Sequence, residues 1–303
     1  MTLTEDLSKS RNYEMNMYLS SLKSMYDNSV LQNAEIYDIA ARLTDDFQAI
    51  TADAIVLDSR IIKTLRYSIA PSISQMKFGQ FFGINSIGKY ENDKINQGTI
   101  KFTQLKKIAD IIADFASKNI DQARFMWLDK NNKISDIILA KEYAKKWTCS
   151  IAADQNAQTR YRNWRKDQQE HSIATKLVDL GYVKCNYLGL VEKHTDIKIG
   201  EFTNEIRVKG RTIQKADVVV RSKKDHKLVL IEAKAVGVEI DSTKRIKECC
   251  DKSHDWGSSV DLSDPVIVSV IAGFFKERGI KNLQASNIIV VWEHRLSDFK
   301  KIL

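Results

Sequence analysis

Four short runs of apolar, β-favouring residues follow Gly181, and their arrangement constrains the fold more than any other feature of the chain. The runs are ADVVV at 216–220, KLVLIEAKAV at 227–236, VIVSVIAG at 266–273 and NIIVVWEH at 287–294. Strands that alternate with helical patterns imply parallel pairs in a sheet covered by helices on both faces. The polar stretch RSKKDHK between the first two runs predicts a hairpin turn. The sequence therefore predicts an α/β fold with ligands bound at strand ends.

The first half of the chain has a different pattern, in which apolar residues recur at steps of three and four. Leu105, Ile108 and Ile112 form one such stripe, which is typical of a helix packed on one face. Pro71 lies in SIAPSISQMKFGQFFG, where Ser72 or Ser74 can cap a helix, either in a plain bundle or at the start of a helix-turn-helix. We expect a mostly α-helical region at 1–155 and a separate core at 156–303.

Composition excludes several classes of protein. With 43% hydrophobic and 28% charged residues the chain is typical of globular proteins, and its net charge of +8 suits a polyanionic partner without proving one. The four cysteines form no CxxC pair, so neither a disulfide framework nor a zinc ribbon is indicated. No signal peptide or membrane span is recognisable, and we expect a soluble, cytoplasmic protein.

Three charged residues stand out because they lie in apolar strands: Asp217 in the first run, and Glu232 and Lys234 in the second. Glu232 and Lys234 project to the same side of their strand, and a hairpin would bring Asp217 toward them. Burying such groups is costly unless they are paired or bind a metal. A Glu–Lys pair at a water-facing sheet edge is the alternative.

Converging carboxylates suit a hard divalent cation, and Mg²⁺ needs few protein ligands because it keeps several waters. We therefore expect Asp217 and Glu232 to bind Mg²⁺, with Lys234 orienting or deprotonating the attacking water. This is a hydrolytic site. In-line attack on a phosphodiester would leave a 5′-phosphate and a 3′-hydroxyl.

Two basic segments are candidates for contact with a phosphate backbone. RYRNWRKDQQEH at 160–171 mixes aromatic residues with Arg162 and Arg165, and Lys244 and Arg245 lie near the start of a helix that Asp241 or Ser242 would cap. An ordinary charged helix face is the alternative in both cases.

The spacing D-x14-E-x-K within apolar strands is the signature of the PD-(D/E)xK nuclease superfamily, although Ala216 stands where its motif has proline. The chain further resembles the XamI family of type II restriction endonucleases over most of its length. The stretches that carry the resemblance are RYSIAPSIS, RKDQQEHSIATKLVDLGY, KADVVV, LVLIEAKAVGVEIDSTKRIKE, the WG at 256–257 and IIVVWEHRLSDFKKIL.

This resemblance implies a PD-(D/E)xK core, a central mixed β-sheet flanked by helices, that cuts double-stranded DNA. Catalytic roles for Asp217, Glu232 and Lys234 are implied with it, and Glu170 on the preceding helix is a further candidate, unless it is a solvent-facing residue of the first turn. A homodimer on a short palindrome, possibly GTCGAC-like, and a cognate DNA methyltransferase as a functional partner are also implied.

Two other interpretations remain open. A repair, resolvase or transposon-end nuclease on the same core would recognise DNA structure or a partner instead of a palindrome. A DNA-binding protein with an inactive nuclease site would bind DNA in a salt-dependent way without cutting it.

Overall fold

The computed structural model describes residues 2–129, 131 and 134–303, which form two compact units. One unit combines the chain up to Ser21 with Tyr161–Leu303, and the other is Leu22–Arg160. We call them the sheet unit and the helical unit. The sequence prediction divided the chain once, after residue 155. The structure differs at the beginning of the chain, which packs in the sheet unit.

A six-stranded mixed sheet forms the centre of the sheet unit. In spatial and chain order its strands are β1 (Val183–Lys184), β2 (Glu201–Lys209), β3 (Ile213–Arg221), β4 (Leu228–Val236), β5 (Val266–Gly273) and β6 (Ile289–Trp292). Strands β2, β3 and β4 pair antiparallel, whereas β4, β5 and β6 pair parallel, as do β1 and β2. The predicted α/β class and the predicted hairpin between β3 and β4 are confirmed.

The sequence prediction found four of these strands and missed β1 and β2. The four contain apolar runs whose residues are mostly buried, so their signal is strong. Strand β2 instead alternates, with Phe202, Ile206 and Val208 buried between polar residues. This weaker, period-two pattern is typical of a strand whose second face is exposed.

Helices cover both faces of the sheet. The helices of the chain are α1 (Leu3–Leu43), α2 (Ala52–Leu57), α3 (Ile61–Ser68), α4 (Gln75–Phe81), α5 (Gly88–Asn92), α6 (Ile100–Asn119), α7 (Ile137–Asp179), α8 (Glu239–Gly257), α9 (Glu277–Ala285) and α10 (Phe299–Ile302). Short 3₁₀ helices lie at Met126–Leu128, His194–Asp196 and Glu293–Asp298. One face of the sheet packs against Cys249 and Trp256 of α8, and the other against Ile173 and Leu177 of α7.

Helix α8 begins earlier than the sequence predicts. We expected Asp241 or Ser242 as the N-cap, but the cap position is Val238, which makes no side-chain cap hydrogen bond. Glu239 and Asp241 lie in the first turn, where their charge favours the amino end of the helix dipole. The correction lengthens the helix by one turn.

The helical unit contains α2 to α6 with parts of α1 and α7, which confirms the predicted helical region. Ser74 caps α4, and its side chain accepts a hydrogen bond from the Lys77 backbone N–H. Arg66 and Glu91 form a fully buried ion pair, with Nε and Oε1 2.7 Å apart. In the part of the chain that the structure describes, no helical stretch combines the length and the apolar character that a membrane span requires.

Candidate active site

The candidate site lies where β3 and β4 separate. Their last hydrogen-bonded pair toward the site is Val218 with Ile231, and the next two residues are Asp217 and Glu232. Beyond this point β4 stays paired with β5, in parallel, and β3 stays paired with β2, in antiparallel. Asp217 Oδ2 accepts a 2.8 Å hydrogen bond from the Ala233 backbone N–H. The Asp217 carboxylate thus accepts the hydrogen bond that a backbone carbonyl of β3 would accept if the pairing of β3 with β4 continued.

The neighbouring strand is also irregular at this position. The β2–β3 register pairs Asn204 with Val218 and Ile206 with Ala216, but skips Glu205 and Asp217 between them. Glu205 has a φ of 52°, which is uncommon for a residue other than glycine. Backbone strain of this kind concentrates at functional sites, because the surrounding structure must hold it in place.

Glu232 is buried, and a different ammonium group contacts each of its carboxylate oxygens. Lys234 Nζ lies 2.7 Å from Oε2, and Lys252 Nζ contacts Oε1. Lys234 Nζ is also 3.8 Å from Asp217 Oδ2. The structure therefore brings together the three side chains that the sequence singled out, and adds a fourth.

Burial and charge shift the ionisation of this cluster. Burial, and then the nearby Asp217 carboxylate, raise the pKa of Glu232. Burial alone would lower the pKa of Lys234, but Glu232 and Asp217 together raise it above its usual value. Lys234 therefore stays protonated at neutral pH. Of the two predicted roles, a protonated Lys234 suits orienting a water molecule rather than deprotonating it.

Glu170 approaches the same site from α7. Next to it in sequence, Gln169 donates a 3.2 Å hydrogen bond to the Val270 carbonyl and so fixes this turn of α7 on β5. Lys166 Nζ lies 3.3 Å from Glu170 Oε1, yet that oxygen makes no hydrogen bond of good geometry. Burial, and then Asp217, raise the pKa of Glu170. The solvent-facing alternative for Glu170 is wrong, because its side chain is buried.

We expect Glu170→Gln to leave the protein at least as stable as the wild type at neutral pH. A raised pKa means that ionising Glu170 costs more in the folded protein than in the unfolded chain, so the charged form lowers stability. The difference in melting temperature should shrink as the pH falls toward about 3, where the carboxyl group is protonated in both states. Thermal unfolding at several pH values measures it, with the exposed Asp167→Asn as control. A lower melting temperature for Glu170→Gln at pH 7 would contradict this prediction.

Lys252 is the residue of the site that the sequence analysis missed. It lies on α8 between Cys249 and Trp256, both of which are buried against the sheet. A lysine at this spacing stands beside the apolar stripe of its helix, and this was the available signal. Lysine is so common on helices that the spacing alone carries little weight.

The residues of the site suit a small divalent cation. Within the described part of the chain no group of three or more His, Cys, Asp or Glu side chains is arranged to hold a metal ion. Mg²⁺, however, is usually bound by one or two carboxylates together with waters and substrate phosphate. Asp217 and Glu232 provide two carboxylates where β3 and β4 separate. The donor set therefore fits Mg²⁺ rather than a softer metal.

One of the four predicted DNA contacts is wrong. Arg165 is buried, and its guanidinium binds Glu14 at 2.8 Å and both oxygens of Glu293 at 2.8 and 3.1 Å. Glu14 belongs to α1, and Glu293 begins the 3₁₀ helix after β6. Arg165 thus joins three segments of the sheet unit, and its buried guanidinium is not accessible to a DNA phosphate. Its role is structural.

The other three predicted DNA contacts are exposed. Arg162 lies on α7 a turn before Lys166, and Lys244 and Arg245 lie near the start of α8. Arg245 pairs with Glu248 at 2.9 Å, which an exposed pair can give up at little cost. Their contact with DNA stays a prediction.

A comparison with known protein families shows to which family this chain belongs. The XamI restriction endonuclease family matches residues 45–292, which is most of the chain and includes all the site residues described above. The chain belongs to the XamI restriction endonuclease family. Membership in this family confirms the resemblance seen in the sequence.

Comparisons with curated proteins and with solved structures add little to the assignment of this protein to the XamI family. No curated protein matches it. It is similar to a solved structure titled protein of unknown function AF1548, at 18% identity and a TM-score of 0.28, over 41% of this chain and 56% of that one. A second, protein VC1899 from Vibrio cholerae, is 10% identical with a TM-score of 0.27, over 94% of this chain and 55% of that one. The chain spans little more than half the length of each.

Proposed function

We propose that this protein is a Mg²⁺-dependent type II restriction endonuclease whose sheet unit is a PD-(D/E)xK nuclease core. The observation that carries the proposal is the meeting of Asp217, Glu232 and Lys234 where β3 and β4 separate. Two carboxylates and a protonated lysine in a partly buried cluster supply the groups that hydrolysis of a phosphodiester requires.

Asp217 and Glu232 would hold the metal ion, which, when bound, polarises the scissile phosphate and lowers the pKa of a coordinated water. Asp217 is positioned for this by its hydrogen bond from the Ala233 N–H. Lys234 orients the attacking water, and its positive charge offsets the negative charge that develops in the transition state. Glu170, a buried carboxyl group whose pKa is raised by burial and then by Asp217, is a further group that can accept a hydrogen bond from that water. Cleavage would leave 5′-phosphates.

The remaining features of the proposal concern recognition. A homodimer would match the two-fold symmetry of a short palindrome, possibly GTCGAC-like. Arg162, Lys244 and Arg245 would contact phosphates, which positions the protein on the duplex without reading its sequence. The helical region at 1–155 would contribute base contacts or the dimer interface. A cognate DNA methyltransferase would protect host DNA without binding the enzyme.

The test is digestion of plasmid and phage DNA by the purified protein in Mg²⁺. We expect discrete fragments with 5′-phosphate ends from the wild type, and no cleavage by Asp217→Asn, because the amide cannot supply a charged metal ligand. Asp251→Asn, which changes an exposed acid on α8, is the matched control and should cut like the wild type.

Two results would contradict the proposal. Binding to DNA without any cleavage in Mg²⁺ or Mn²⁺ would indicate an inactive nuclease fold. Cleavage of branched substrates or DNA ends, with no sharp fragments from linear duplex, would indicate a structure-specific nuclease.

A further inference from the structure

The ammonium group of Lys252 is surrounded by three different partners. Its Nζ contacts Glu232 Oε1, lies 2.5 Å from the Lys215 carbonyl oxygen and is 5.5 Å from the centre of the Trp256 ring. A carboxylate, a carbonyl and an aromatic face are three different kinds of partner for one cation. With 21% of its side chain exposed, Lys252 is also far less solvated than most lysines.

Lys252 brings the charge around Glu232 to zero. Asp217 and Glu232 carry two negative charges, and Lys234 and Lys252 carry two positive charges when all four groups are ionised. The four side chains together therefore exert no net attraction on an approaching cation. Each carboxylate oxygen of Glu232 is also already in contact with an ammonium group. To gain a Glu232 oxygen as a ligand, a metal ion must therefore displace an ammonium group.

The contacts indicate which ammonium leaves more easily. Both carboxylate partners of Lys234, Glu232 and Asp217, lie within the site, so Lys234 would lose all of its ion pairing if it moved away. Lys252 comes from a different element, α8. It can release Glu232 and still keep the Lys215 carbonyl and the Trp256 ring.

We propose that Lys252 is a built-in competitor for the divalent cation, which holds Glu232 in the metal-free protein and is released from it when the metal ion binds. The proposal rests on the proposed function, in that it takes Asp217 and Glu232 as the metal ligands. It adds a residue from α8 that sets how tightly the metal ion is held before DNA is present.

Direct titration of the full-length, DNA-free protein with Mn²⁺ tests this proposal. Lys252→Gln keeps a hydrogen-bond donor for Glu232 but removes the charge, and we expect its dissociation constant for Mn²⁺ to fall by about tenfold, as the loss of a nearby like charge implies. Lys252→Arg, which keeps the charge, and Lys247→Gln, which removes an exposed charge from the same helix, should bind Mn²⁺ like the wild type.

A second measurement needs no variant. Amine labelling of the wild-type protein, read out by mass spectrometry, should modify Lys252 several times faster in saturating Mn²⁺ than without metal, because a released amine reacts more readily than one held by a carboxylate. Labelling of Lys247 should not change.

The outcomes separate this proposal from the proposed function. If Asp217→Asn abolishes Mn²⁺ binding but Lys252→Gln binds no more tightly than the wild type, or if the labelling of Lys252 does not respond to Mn²⁺, the competitor proposal fails and the metal site stands. If wild type and Lys252→Gln both lack saturable Mn²⁺ binding, and the wild type leaves DNA uncut in Mg²⁺, the proposed function fails as well.

Discussion

Lys234→Met is expected to slow DNA cleavage by about 10²–10³-fold, the usual cost of removing one group that stabilises charge in a transition state. Methionine keeps much of the length of the side chain but places no charge beside Glu232 and Asp217, which lie 2.7 and 3.8 Å from Lys234 Nζ. The measurement is the single-turnover cleavage rate at saturating Mg²⁺, with DNA affinity measured separately in Ca²⁺. Affinity should change little, because the lost interaction acts on the transition state.

Lys215→Met is the matched control for this variant. Lys215 is on β3, two residues before Asp217, and its ammonium pairs with Glu205 at 2.7 Å. We expect it to cut at nearly the wild-type rate. Equal rates for Lys234→Met and Lys215→Met would rule out a catalytic role for Lys234.

Arg165→Met is expected to lower the free energy of unfolding by about 3–5 kcal/mol, because it leaves two buried carboxylates without their cation. Glu14 and Glu293 are both buried, and Arg165 is the shared partner that holds them together. Urea denaturation followed by circular dichroism measures the loss. Exposed Arg162, on the same helix, provides the control, and Arg162→Met should change stability far less.

The same pair of variants distinguishes a structural role from DNA contact. If Arg165→Met folds as stably as the wild type but binds DNA more weakly, the original prediction of a phosphate contact is right and the structural role is wrong. We expect the opposite pattern, with Arg162→Met weakening DNA binding and lowering its salt dependence.

The parts of the fold that could be predicted are those with a strong local signal. Strands β3 to β6 are apolar runs, and Asp217, Glu232 and Lys234 were noticed because charged groups are rare in such runs. Strand β2 was missed because six of its nine residues are polar, and β1 because it has two residues.

The roles of residues whose partners are distant in sequence could not be predicted from such local patterns. Arg165 stands in a basic segment, yet its partners Glu14 and Glu293 are 151 and 128 residues away in sequence. Lys252 reaches Glu232 across 20 residues and a change from strand to helix. The sequence alone does not distinguish a buried cation from an exposed one. The difference is a carboxylate partner, which folding places beside the buried cation.

We expect Asp217 and Glu232 to hold one divalent ion where β3 and β4 separate. Crystals of the protein with a DNA duplex and Mn²⁺, measured for anomalous scattering from manganese, test it directly. We predict a manganese peak in coordinating contact with carboxylate oxygens of both residues, and the loss of that peak in Asp217→Asn. A manganese peak bound elsewhere on the chain, with Glu232 still held by both lysines, would contradict the claim.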